Sequence, residues 1–154
     1  MPCLMYNARY TLKQQIISRG EGKGYEWSND HILLKTGEDL TNGRLTLVED
    51  RLKPGFHLAR HYHKQMTEIF YVLEGSVEFT FDDNTVSATP GMTIIIQPAL
   101  WHEVRSEKGG TLLTMFSPGG FEKYLEELAA LPAERFEDQE FMKTLAERHD
   151  IWMQ

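Results

Sequence analysis

The stretch GFHLARHYHKQMTEIFYVLEG, Gly55 to Gly75, decides how this chain reads. On a β-strand, residues two apart face the same side, so His61 and His63 aim their imidazoles at one point. Glu68 comes five residues after His63, which leaves room for a short turn and the start of a returning strand. That strand brings a carboxylate to the same place, and His102 follows downstream. Imidazoles together with a carboxylate suit a divalent transition ion such as Fe, Mn, Co, Ni or Zn. The expectation is one metal ion held inside a β-barrel.

On either side of this stretch, short apolar runs alternate with turn signals, the texture of an all-β domain. Strands are predicted over His31–Thr36, Arg44–Leu52, Phe56–His63, Glu68–Leu73, Ser76–Phe81, Thr85–Ala88, Thr93–Gln97, His102–Ser106 and Thr111–Ser117. Thr41-Asn42-Gly43, Pro54-Gly55, Glu74-Gly75, Asp82-Asp83-Asn84, Pro90-Gly91, Pro98 and Gly109-Gly110 punctuate them. Eight or more short strands of this kind argue for a sandwich or barrel.

After Ser117-Pro118-Gly119-Gly120 the period changes. Phe121, Tyr124, Leu125 and Leu128 fall at i, i+3, i+4 and i+7, one face of a helix that Pro132 ends. A second helix is predicted from about Glu137 to His149, with Phe141, Met142 and Leu145 as its buried stripe and charges that suit the helix dipole. The chain therefore reads as a single domain over 1–154, with a lead segment over 1–30, a barrel over about 31–117 and a helical tail over about 118–154. The lead segment has room for one strand, which would suit a neighbour's sheet edge.

Sixteen basic against 23 acidic residues give a net charge of −7. That charge disfavours a nucleic-acid backbone or an anionic membrane as partner, since both need a positive surface. Cys3, the single cysteine, permits no intrachain disulfide, and its place near the start argues against a catalytic thiol. No aliphatic run is longer than three residues, as at Ile94–Ile96, and Met1 to Tyr10 lack a signal-peptide core. The expectation is a soluble, cytoplasmic protein.

The pattern Gly55-x5-His61-x-His63-x4-Glu68-x6-Gly75 resembles the first motif of the cupin superfamily at every position. The second motif is weaker: Gly91 is followed at the expected spacing by His102, which maps onto that family's third metal histidine. Gln97 stands where the family usually has proline, Ala99 where it has glycine and Ser106 where it often has asparagine. Alanine at 99 implies a turn that needs no left-handed glycine, or one that Pro98 shapes differently. The resemblance, to small bacterial single-domain cupins of the quercetin-dioxygenase-like kind, implies a jelly-roll (double-stranded β-helix) barrel followed by two C-terminal α-helices. It also implies a three-His-one-Glu metal site and, since such barrels commonly pair, a homodimer.

Four protein ligands on a six-coordinate ion leave two positions for water, substrate or dioxygen. A metal-dependent enzyme acting on a small organic molecule is therefore expected, with a dioxygenase or other oxidoreductase first and iron as the leading metal. The alternatives are a cupin isomerase or decarboxylase and a non-catalytic ligand-binding or sensing barrel. Glu68 is the candidate catalytic residue, as a carboxylate able to serve as general base. Phe79, Phe81, Val104 and Phe116 are candidates for an apolar pocket over the metal, although inward-facing core residues would alternate in the same way. His57 shares the strand parity of His61 and His63 and reads as a pocket or rim residue, and Gln97 as a residue pointing inward near the metal. Trp101 is placed at the mouth or in packing, and the acidic run Glu122–Glu127 reads as a solvated helix face.

Overall fold

A computed structural model describes residues 14–154, so Cys3 and the first part of the lead segment lie outside the described residues. Two antiparallel sheets face each other. In chain order the strands are β1 (Lys23–Glu26), β2 (Asp30–Thr36), β3 (Thr46–Leu52), β4 (Phe56–Tyr62), β5 (Thr67–Gly75), β6 (Val77–Thr80), β7 (Thr85–Ala88), β8 (Thr93–Ile96), β9 (His102–Ser106), β10 (Gly110–Ser117) and β11 (Trp152–Met153). The larger sheet runs β1-β2-β3-β10-β5-β8 and the smaller β11-β4-β9-β6-β7. This is the expected jelly-roll barrel.

Alternation explains how the faces are filled. In β5, Glu68, Phe70 and Val72 are buried while Tyr71 is exposed. In β6, Val77 and Phe79 point in and Glu78 out. An apolar cluster of Phe56, Phe70, Val72, Phe79, Ile96, Val104 and Leu112 joins the two sheets. A second cluster, containing Tyr25, Ile32, Val48, Met66 and Phe116, extends to Leu125 of the tail. Fully burying side chains of this size contributes roughly 1.5–3 kcal/mol each.

The tail departs from expectation in four places. Helix α2 (Phe121–Ala129) forms as expected, following a short α1 (Glu38–Thr41) that the turn signal at Thr41 did not reveal. The later helix, α3 (Gln139–Arg148), starts after a 3₁₀ turn over Ala133–Glu137, and the Asp138 side chain accepts from the Phe141 N–H as its cap. Leu145 is buried on α3 as expected, joined by Ala146, whereas Phe141 and Met142 are half-buried. The chain then returns to the barrel, and β11 pairs with β4, Trp152 opposite Tyr62 and Met153 opposite His61. Glu122 is also not part of a solvated face. It is buried and accepts from the Thr46 hydroxyl and, at 2.6 Å, from the Glu38 N–H, tying α2 to the barrel. Among the described residues, no helix is long and apolar enough to cross a membrane.

Candidate metal centre

The four candidate ligands meet between the sheets. His61 near the end of β4, His63 just beyond it, and His102 at the start of β9 come from the smaller sheet, with His61 paired opposite His102. Glu68 comes from β5 of the larger sheet. All four are buried, and their ligand atoms lie within 4.8 Å of one another. The His61 and His102 rings stand 4.2 Å apart, centroid to centroid.

Each imidazole is held from behind by a backbone carbonyl. Nδ1 of His61 donates to Ala59 O at 2.7 Å, Nδ1 of His63 to Asp150 O at 2.8 Å, and Nδ1 of His102 to Leu100 O at 2.9 Å. A carbonyl can only accept, so the ring proton sits on Nδ1, and Nε2 of each neutral ring presents a lone pair. Two of these Nε2 atoms, on His63 and His102, face the same oxygen, Oε2 of Glu68, each at 3.1 Å. Lone pairs facing a carboxylate in a buried site need a cation or protons between them. Three aligned imidazole nitrogens and one carboxylate therefore fit a divalent transition ion by the chemistry of the donor set.

The electrostatics follow from burial and this pairing. Burial lowers His61 to about 4, outweighing the pull of the Glu68 charge. Burial opposes charge on His63 too, but the Glu68 hydrogen bond and charge and the Asp150 carbonyl outweigh it and raise His63. Glu68 is held well below the usual carboxylate range. Burial pushes it up, and hydrogen bonds and charge from His102 and His63 prevail.

Two residues on the flanking loops support the ligands. The carboxylate of Asp150 accepts the backbone N–H groups of Lys64, Gln65 and Met66 at 2.7, 2.9 and 2.8 Å, fixing the turn between His63 and Glu68. No spacing rule points to a residue so distant in sequence. Ala99 donates its N–H to His63 O at 2.7 Å and has φ +69°, so the turn before His102 does adopt the left-handed conformation, against the first of the two sequence readings.

A cavity of about 360 Å³ meets the centre at Glu68, which lies on its wall, while the three histidines do not line it. Of the expected pocket residues, Val104 and Phe116 line it. Phe79 does not, being fully buried in the first apolar cluster against Phe70, and Phe81 packs half-buried on that cluster. Gln97, just past β8, is exposed, unlike the four buried metal ligands. His57 also faces out and contacts Glu103 at 2.9 Å. The reason is a bulge: Leu58 pairs with Val104 but His61 with His102, so β4 carries one extra residue and the parity reverses between His57 and His61. The cavity holds two carboxyls not anticipated as site residues, Asp30 and Asp50. Asp50 shares its parity with Val48 and Leu52, an alternation signal that was available in the sequence.

Comparison with known proteins agrees with this architecture. A family model described as "Cupin domain" matches residues 48–117. Quercetin 2,3-dioxygenase from Bacillus subtilis (strain 168) is 25% identical over 114 residues, covering 73% of this chain and 34% of that protein. The chain thus spans about a third of the length of that relative. Among solved structures, KdgF from Halomonas sp. superposes with a TM-score of 0.62 at 16% identity, covering 71% of this chain and 99% of the other. An RmlC-like cupin from Shewanella frigidimarina NCIMB 400 gives 0.58 at 22% identity, covering 69% and 93%. At such identities these two structures speak to the fold alone.

Proposed function

This barrel is a cupin domain, and from that premise we propose that the protein is a metal-dependent enzyme acting on a small organic molecule at His61, His63, Glu68 and His102, most simply as a dioxygenase. The observation that carries the proposal is a cavity of about 360 Å³ with one of the four donors, Glu68, on its wall. The size suits a small molecule. The likeness to a quercetin 2,3-dioxygenase supports oxygen chemistry over the other reactions cupins perform.

A bound divalent ion would supply Lewis-acid stabilisation of negative charge and, as iron(II), electrons for dioxygen. The chain's own residues do the rest. The three Nδ1–H···O=C bonds fix the imidazoles in the tautomer that presents Nε2, so no reorientation is needed on loading. Glu68 keeps its carboxylate ionised at neutral pH and borders the cavity, where it can accept a proton from a ligand hydroxyl or C–H. Trp27, Phe56, Phe70 and Leu112 line the same space and keep water from the reacting groups.

The test is elemental analysis of protein purified without added metal or histidine tag, beside His61→Ala, followed by oxygen-uptake screens. Near-stoichiometric iron that His61→Ala loses, with substrate-dependent oxygen uptake, supports the reading. Absence of any divalent metal after reconstitution overturns it and leaves a ligand-binding barrel.

A further inference from the structure

Asp30, Asp50 and Thr114 bring unspent hydrogen-bonding capacity into the cavity. Asp30 Oδ1, Asp50 Oδ1 and Thr114 Oγ1 are buried and find no hydrogen-bond partner among the described residues. All three residues line the cavity. The sheet register makes them neighbours. Asp30 pairs with Leu52 and Thr114 with Val48, so Asp50, midway between those two on β3, lies diagonally beside both. Thr114 is 3% exposed and Asp30 7%, which makes these buried acceptors rather than surface groups.

The surroundings select the charge of what they would receive. The cavity wall carries three carboxyls, Asp30, Asp50 and Glu68, and no lysine, arginine or histidine among the described residues. Lys53 is the cation that acts on Asp30 from outside the cavity, and its Nζ already bonds Glu26 and the Trp27 carbonyl. Asp30 and Asp50 face each other closely enough to share a proton: burial and the Asp30 charge push Asp50 well up, and burial raises Asp30 to about 6. At neutral pH the pair therefore retains one negative charge in a desolvated place. Aromatic rings of Trp27, Phe116, Phe121, Tyr124 and Phe136 surround the same space, and their faces attract cations.

We propose that Asp30, Asp50 and Thr114 form an ammonium-binding subsite, so that the molecule entering the cavity is a protonated amine with an apolar or aromatic body. A primary ammonium carries three N–H donors, matching the three free acceptors. Away from the metal centre, the same wall offers carboxylates and phosphates only like charge. The inference rests on the cavity being the ligand site, and it narrows the substrate class of that site to cationic amines.

The experiment is calorimetric titration of the metal-loaded protein near neutral pH with 2-phenylethylamine, 2-phenylethanol and 3-phenylpropionate, three probes of similar shape and different charge. The amine should bind about tenfold or more tightly than the alcohol, and the carboxylate should give heat only through the metal, with none left in His61→Ala. Asp30→Asn should weaken the amine by about tenfold and leave the alcohol within about twofold, with Thr114→Val shifting amine affinity in the same direction. Carboxylate binding as tight as the amine in His61→Ala, amine affinity unchanged in Asp30→Asn, or no binding of any probe at millimolar concentration overturns the subsite. Metal content measured on the same samples keeps the two readings apart. Normal metal with no amine preference defeats the subsite alone, whereas amine selectivity in a barrel that takes up no metal defeats only the enzyme.

Discussion

The backbone carbonyl of Asp150 accepts Nδ1–H of His63 at 2.8 Å, while the carboxylate of the same residue holds three N–H groups of the turn that follows His63. One tail residue thus orients a ligand ring and shapes the loop between two ligands. Asp150→Ala keeps the carbonyl behind His63 but removes the carboxylate that fixes the turn between two ligands, and should lower metal affinity by about tenfold. It should also destabilise the fold by about 2–4 kcal/mol through the lost charge-assisted hydrogen bonds. Chelator competition and urea unfolding measure the two effects. Unchanged affinity would mean that the turn keeps its shape without the carboxylate.

Ala99 is a second support, and it is strained. At φ +69° its Cβ is crowded against the backbone, at a cost of roughly 1–2 kcal/mol. Ala99→Gly should therefore stabilise the protein by up to about 1 kcal/mol after the extra unfolded-state entropy of glycine, a rise in Tm of about 2–4 °C. Metal content should not change. A lower Tm would show that the methyl group makes compensating contacts.

Burial raises Asp30 from 3.8 to about 6. The folded state holds this proton more tightly than the unfolded chain, so stability is full below the unfolded value and falls as pH rises through 6. The loss is roughly 2–3 kcal/mol. Asp30→Asn should accordingly match the parent near pH 4 and exceed it in stability at pH 7, as read by denaturant melts across that window. A parent as stable as the variant at neutral pH would mean that a nearby cation already offsets the charge.

His61 acts with the opposite sign. In metal-free protein its folded value lies near 4 against 6.5 unfolded, so the unfolded chain takes up the proton first and stability falls as pH drops from 6.5 to 4. The loss reaches about 3 kcal/mol. Asp30 and His61 work against each other over nearly the same window, so their two contributions largely offset in the parent. His61→Gln should show falling stability with rising pH, and a profile identical to the parent would count against the buried neutral imidazole.

How far the sequence could be read depended on the range of each interaction. Strands and their inward faces followed from alternation, because the period of two is local and β5 and β6 keep it throughout. His61, His63, Glu68 and His102 were found by motif spacing, which reflects two hairpin-like returns. His57 misled because one extra residue in β4 reverses parity within the motif itself, and no residue between Leu58 and His61 announces the bulge. Gln97 lies past the end of its strand, where alternation no longer dictates direction. Asp150 and Glu122 carry no local sequence signal for a different reason. Their partners are 86 and 76 residues away, and an acidic residue on a helix or in a loop looks solvated until the fold brings its donors to it.

Strand β11 covers only the ligand-bearing end of β4, and the smaller sheet would otherwise end there. Its two residues thus shield a row of backbone donors and acceptors against which any passing strand could template. The segment leading into it, at Asp150, also carries the carbonyl behind His63. Detachment of this segment would loosen the metal ligands and unmask the sheet edge in one event. Metal release and self-association would thereby be coupled, and conditions that strip the ion should also be those under which the protein begins to aggregate.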